Sequence, residues 1–221
     1  MHITVIAKEP RPGAVKTRLC PPCTPGQAAE IAAAALSDTL DGIDRVAAVL
    51  DVRGGPSCRR TLLFEGDASN WLRPGYDAVA QRGDGLAERL ANGFDDLGPG
   101  IIVGMETPQA IDTLVCAVPA LLEGRDVVGL ASDGGYWVIG LHRVDRAVFY
   151  DIPMSSTNTG VRQLSQLHRL GRGVTVLPMA RDLDTFDDVV AAAARSEPGR
   201  LTVAARSLVD AVLAHPTQGS R

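Results

Sequence analysis

Of the 22 Lys and Arg residues in the 221-residue chain, just two are lysines, Lys8 and Lys16, and both lie in the opening stretch VIAKEPRPGAVKTRL. Arginine fills every other such position. The same stretch carries Arg11 and Arg18, with Pro10, Pro12 and Gly13 shaping it. A compact ammonium and a planar guanidinium fork are not equivalent around a phosphate. A loop of this make-up can enclose a diphosphate with point charges and backbone N–H groups; otherwise it reads as a solvated basic loop. It is not a Walker A loop, and no G-x-G-x-x-G follows a strand, which speaks against a dinucleotide fold.

Four carboxylates form the complementary set. Glu106 lies in Gly104-Met-Glu-Thr-Pro108, Asp133 in Ser132-Asp-Gly-Gly-Tyr136, and Asp182 and Asp184 in Arg181-Asp-Leu-Asp-Thr185. Carboxylates at strand tips, facing a cationic loop, suit Mg²⁺ or Mn²⁺ bridging phosphates. Each has a plainer reading. Thr107 and Pro108 supply a helix N-cap and first turn, Asp133-Gly134-Gly135 a tight hairpin turn, and Thr185-Phe-Asp-Asp188 a capping box. The histidines (His2, His142, His168, His215) show no pairing, and no G-x-S-x-G elbow is present, so a histidine metal site or a serine triad is not expected. Cys20-Pro-Pro-Cys23 has knuckle spacing but no second pair to complete a zinc site, and the cysteines read as reduced thiols.

These residues need elements to position them. HITVIAK reads as a buried first strand, and Thr24-Pro-Gly-Gln27 as a capping box opening an Ala-rich helix to about Leu40. RVAAVLD reads as a second strand, while the Gly/Pro-rich residues 53–84 resist assignment and, as a strand-end region, are where acceptor specificity is expected. Leu86, Leu90 and Phe94 mark one apolar helix face, expected in the core. GIIVG reads as a strand followed by a helix from Pro108 to about Leu122. DVVGLAS and YWVIGL form a hairpin; then come a helix over Val161–Leu170, the strand VTVLP, and a helix from about Phe186. A last helix after Pro198 and a frayed HPTQGSR end complete the pattern. Strands alternating with helices imply a mostly parallel α/β sheet covered on both faces, with a small antiparallel hairpin. In such a sheet ligands bind outside the carboxyl ends of the strands, where all four segments fall.

With 45% hydrophobic and 22% charged residues and a formal net charge of −4, a mean hydropathy of +0.06 and a pI near 5.5, the chain reads as one globular domain over 1–221. No basic surplus exists to neutralise a nucleic-acid polymer. No run of about eighteen apolar residues signals a membrane span, and the start lacks a signal peptide's basic region, so a cytoplasmic protein is expected. Nothing in the sequence specifies an oligomeric state.

AKEPRPGAVKTRL, GDGLAERLANGF, GMETP, DGGYWVIGL and DLDTFDDV occur in the order seen in the DUF2064 family, bacterial glycosyltransferase-like proteins of the GT-A, nucleotide-diphospho-sugar transferase fold, a Rossmann-like architecture. The resemblance covers roughly residues 2–195 and leaves 198–221 as a helical tail. The opening segment is also similar to that of the guanylyltransferases of cofactor F420 synthesis, and DLDTFDDV resembles the metal-binding end motif of CMP-sugar synthetases. The resemblance implies that Lys8, Lys16 and Arg18, with Arg11 beside them, hold nucleotide phosphates. It implies that Glu106 and Asp184 hold Mg²⁺ or Mn²⁺, with Asp133 or Asp182 orienting or deprotonating the acceptor hydroxyl. The expected enzyme is a metal-dependent transferase using a nucleotide-sugar donor and a small-molecule acceptor. The alternatives are a nucleotidyltransferase joining an NTP to a phosphorylated small molecule, or a nucleotide-binding homologue that has lost catalysis. One departure bears on this choice: Glu106, preceded by Met105, stands where the family usually has Asp in a G-S-D-S-P-like segment.

Overall fold

Ile3, Val5 and Ala7 alternate with Thr4 and Ile6 along the first strand, and nearly all of them are buried, as a strand covered on both faces requires. In the computed structural model, which describes residues 1–55 and 57–214, seven strands form one sheet. They are β1 (His2–Lys8), β2 (Arg59–Glu65), β3 (Tyr76–Ala80), β4 (Gly100–Gly104), β5 (Asp126–Ala131), β6 (Tyr136–Leu141) and β7 (Val174–Ala180). Their order is β3-β2-β1-β4-β6-β5-β7. All pairings are parallel except those of β6, which runs antiparallel to both β4 and β5. The parallel tips of β1, β4, β5 and β7 therefore open on the same edge, as the strand pattern implied.

Six helices flank the sheet: α1 (Pro25–Val52), α2 (Leu86–Leu97), α3 (Leu114–Leu122), α4 (Thr159–Arg169), α5 (Phe186–Ala193) and α6 (Arg200–Ala214). On one face, Val5, Leu62, Ile101 and Val103 pack beneath Leu36, Leu40, Ile43 and Val118 of α1 and α3. On the other, Leu63, Ile102, Val128 and Ile139 pack beneath Leu90, Phe94 and Leu167 of α2 and α4. A third cluster joins Leu19 and Ile31 to Val189 of α5 and Leu201, Ala205 and Leu208 of α6. Among the described residues no helix is long and apolar enough to cross a membrane.

Several expectations are corrected here. RVAAVLD is not a strand; it is the last part of α1, which continues unbroken for 28 residues. Leu36, Leu40, Ile43, Val46 and Leu50 are all buried on one helical stripe. Gly42, which looks like a stop, lets α1 approach the segment after β4, since a Cβ there would lie 2.7 Å from Ile111 Cγ2. The unassigned 53–84 region contains β2 and β3. The helix expected from Pro108 begins as a 3₁₀ segment over Pro108–Thr113, and Thr107 does not cap it: its hydroxyl is buried without a hydrogen-bond partner. Leu86 leaves the expected apolar face, being exposed at the start of α2. The capping boxes at Thr24/Gln27 and Thr185/Asp188 form as expected, and α6 is the expected last helix. The HPTQGSR end lies outside the described residues.

Candidate active site

The four strand tips enclose a cavity of about 560 Å³ lined by Lys8, Lys16, Glu106, Asp133 and Asp182. Arg11, Arg18 and Asp184, expected with them, do not line it. Each cationic side chain of the opening loop is already matched to an acid. Lys8 Nζ lies 3.4 Å from Glu65 Oε2 and Arg11 Nε 3.5 Å from Glu9 Oε2. Lys16 is placed differently from the rest. Its side chain is only 3% exposed, and its ammonium lies 2.6 Å from Glu106 Oε1 and 3.1 Å from Asp184 Oδ1. Arg18 Nη1 takes the other Asp184 oxygen at 3.0 Å.

The backbone fixes this placement. Lys16 adopts the left-handed conformation, φ 51° and ψ 36°, at the start of a short 3₁₀ turn over Thr17–Leu19. Leu19, fully buried, anchors the turn by donating its N–H to the Lys16 carbonyl at 2.9 Å. Val15 is buried on the other side. Cys20 and Cys23 follow as thiols with no disulfide between them, and burial pushes Cys23 up.

Asp133 does serve the hairpin turn. Its Oδ1 accepts the Gly135 N–H at 2.8 Å, and Gly134 accepts from Gly160 N at 2.8 Å, which locks the turn onto α4. Asp182 has no such structural duty, because Thr185 and Asp188 start α5 without it. Burial, then the negative charges of Asp133, Glu106 and Asp184, push Asp182 up to about 7, against the opposing pull of Lys16. A carboxylate titrating near neutrality inside a cavity has the properties of a general base.

At the far end of the cavity lies a residue not singled out in the sequence, Arg89 of α2. It pairs with Glu65 and donates to Gln81 Oε1 at 3.2 Å. Gln81 in turn donates to the carbonyls of Ala7 at 2.7 Å and Leu63 at 3.1 Å, tying the tips of β1 and β2 to the segment before α2. Burial raises Glu65, but Arg89 and Lys8 outweigh it and hold this carboxyl below its usual range. Arg89 belongs to the GDGLAERLANGF segment, so a signal for it was present. The cavity thus has a basic end, where Lys8 and Arg89 share one acid, and an acidic end around Asp182.

The loop cations and the acids, expected on a phosphate side and a metal side, are here paired with one another. The space between Glu106 and Asp184 holds the Lys16 ammonium, and both Asp184 oxygens are engaged by cations. Among the described residues, no group of three His, Cys, Asp or Glu side chains is placed to hold a metal ion. Mg²⁺ prefers near-octahedral oxygen ligands, and here the positive charge beside Glu106 and Asp184 is that of Lys16 and Arg18.

Comparison with known proteins agrees with the fold. A structure from Desulfovibrio desulfuricans, provisionally described as a nucleotide-diphospho-sugar transferase, is 25% identical with a TM-score of 0.81, covering 97% of this chain and 98% of that one. A Mycobacterium tuberculosis protein matches at 23% identity and TM-score 0.50, over 86% of this chain and 97% of its own. A cytidylyltransferase from Leptospira borgpetersenii matches at 13% identity and TM-score 0.53, over 100% of this chain and 97% of its own. The last two likenesses concern the fold alone. A curated relative, a nonribosomal peptide synthetase of Claviceps purpurea, is 28% identical over 91 residues, 41% of this chain and 4% of the synthetase, so the chain spans a small part of that protein. Residues 39–156 match the family described as "Uncharacterized protein conserved in bacteria (DUF2064)", and the chain belongs to the DUF2064 family.

Proposed function

We propose that this chain is a transferase that uses a nucleotide-activated substrate, a nucleotide-sugar donor, and moves its sugar to the hydroxyl of a small acceptor. The observation that carries the reading is Asp182, pushed up to about 7 in a cavity whose opposite end is basic. The cavity's polarity separates the two tasks of group transfer. Lys8 and Arg89, sharing Glu65, neutralise the diphosphate that departs. Asp182 takes the proton of the acceptor hydroxyl as its oxygen bonds to the anomeric carbon. The bond from that carbon to the diphosphate oxygen breaks, and the nucleoside diphosphate leaves. Burial, and then the neighbouring carboxylates, keep Asp182 basic enough near neutral pH to accept the proton. The likeness to the Desulfovibrio desulfuricans protein supports this substrate class.

Thermal denaturation against a panel of nucleotide-sugars, NDPs and NTPs, with and without Mn²⁺, tests the binding step. A ligand at a hundred times its Kd adds about 2.7 kcal/mol, or about 5–10 °C for a chain of this size. Lys8→Ala is expected to abolish that shift. Asp182→Asn should keep the shift and lose release of the nucleoside diphosphate. If no nucleotide stabilises the protein, the reading fails. Pyrophosphate release from an NTP, with none of the diphosphate from a nucleotide-sugar, would replace glycosyl with nucleotidyl transfer.

A further inference from the structure

The Lys16 ammonium stands where the resemblance implies a divalent cation. We infer that it is the resident cation of this site, holding Glu106 and Asp184 in place of a metal, so that the free protein takes up no divalent ion between them.

Two observations support this. The first is contact: one ammonium reaches both carboxylates, at 2.6 Å and 3.1 Å, while Arg18 takes the second Asp184 oxygen at 3.0 Å. Each Asp184 oxygen thus already faces a cation, which a metal ion would have to approach against like charge. The second is permanence. Lys16 is nearly excluded from solvent although both its acids are partly exposed, at 39% and 29%. Its left-handed backbone is held between buried Val15 and Leu19. A non-glycine residue in that region is strained, and surrounding structure must hold it there.

The length of the Glu106 side chain makes the first contact possible. Glu106 projects its carboxylate one carbon farther than aspartate would, and that reach closes the 2.6 Å contact with Lys16. Aspartate at 106 would draw the carboxylate back from the ammonium. A glutamate here therefore matches a lysine partner. The consequence for ligand binding is that one permanent positive charge at this end of the cavity does not depend on dissolved Mg²⁺.

The test uses Mn²⁺ alone, without nucleotide, so its outcome is separate from the success or failure of the transferase reading. Mn²⁺ binding is measured by electron paramagnetic resonance on the full chain, for wild type, Glu106→Gln, Lys16→Met and Lys16→Gln. Wild type is expected to show no Mn²⁺ uptake that Glu106→Gln removes. Lys16→Met is expected to bind Mn²⁺ at least about tenfold more tightly than wild type, because removing the cation between the two carboxylates leaves only Arg18, on Asp184, to oppose their attraction for another. Adding Glu106→Gln to Lys16→Met should abolish the gain. Lys16→Gln keeps a polar group of similar length and replaces Lys16→Met if the latter fails to fold. Glu106-dependent Mn²⁺ binding by wild type would overturn the inference, since the ammonium would then yield to the metal. So would folded Lys16 variants that bind no more tightly than wild type. If neither variant folds, the wild-type and Glu106→Gln pair decides alone.

Discussion

Replacing Asp182 by asparagine isolates the electrostatic burden that the cavity places on one carboxyl. In the folded chain this group is raised from the usual 3.8 to about 7, first by burial and then by Asp133, Glu106 and Asp184. Between those two values the folded state keeps a proton that the unfolded state releases. Stability therefore falls as pH rises through the window, and the full cost is present above pH 7. At about 1.4 kcal/mol per pH unit, the cost approaches, at most, about 4 kcal/mol. Asparagine preserves the shape and cannot ionise, so the variant escapes this loss. Near pH 4 the two proteins should denature at similar temperatures. Near pH 8 Asp182→Asn should be the more stable by a few kcal/mol, or roughly 5–10 °C in Tm for a chain of this length. The assay is thermal denaturation of both proteins in matched ionic strength from pH 4 to 9, followed by circular dichroism. A Tm difference that does not grow with pH, or a variant less stable than wild type at pH 8, would refute the electrostatic argument. A variant that gains stability while losing transfer is the expected signature of a residue kept in place for function.

Other perturbations probe the frame around the site. Burial lowers His2 to about 4 from its usual 6.5, so the unfolded state alone takes up its proton in that window. Stability should fall on acidification by at most about 3 kcal/mol, and His2→Gln should flatten that limb of a urea-denaturation profile. Arg172 and Asp126 are both fully buried, with Arg172 Nη2 donating to Asp126 Oδ1 at 3.0 Å. Arg172→Met should destabilise by about 3–5 kcal/mol in denaturant melts, because it leaves the buried Asp126 charge with His142 but without its guanidinium partner. In the hairpin turn, Gly134 has φ +92°, and a Cβ there would lie 2.0 Å from the Thr157 carbonyl oxygen; at Gly13, φ +77°, nothing lies within 4 Å. Gly134→Ala should therefore lower Tm far more than Gly13→Ala, whose cost is backbone strain of about 1 kcal/mol.

Where the chain's local pattern and its final surroundings agree, the structure was legible from residues alone. GIIVG, DVVGLAS and YWVIGL became β4, β5 and β6 because short buried strands carry their signal in consecutive residues. The shared edge of the four tips followed from parallel connectivity. RVAAVLD misled because β-branched residues among alanines suit either state; the decision lay in Leu36, Leu40 and Ile43 continuing their helical spacing through Gly42 and in the packing of Ile111 against that glycine. The site was legible as a set of residues, not as a set of partners. Lys16 and Asp184 are 168 positions apart, and only the fold brings them together. Grouping both lysines with phosphate, and Glu106 and Asp184 with a metal, assumed that like charges share a task. The cavity instead satisfies its own charges first, with Lys16 against Glu106 and Asp184, and Lys8 and Arg89 against Glu65. One acid, Asp182, keeps the repulsion of its neighbours with no ion pair to relieve it. The strained backbone at Lys16, the extra carbon at Glu106 and the raised Asp182 are one problem seen from three residues. A single ammonium stabilises two carboxylates there and lies near enough to moderate a third without neutralising it, which leaves that third one able to take a proton.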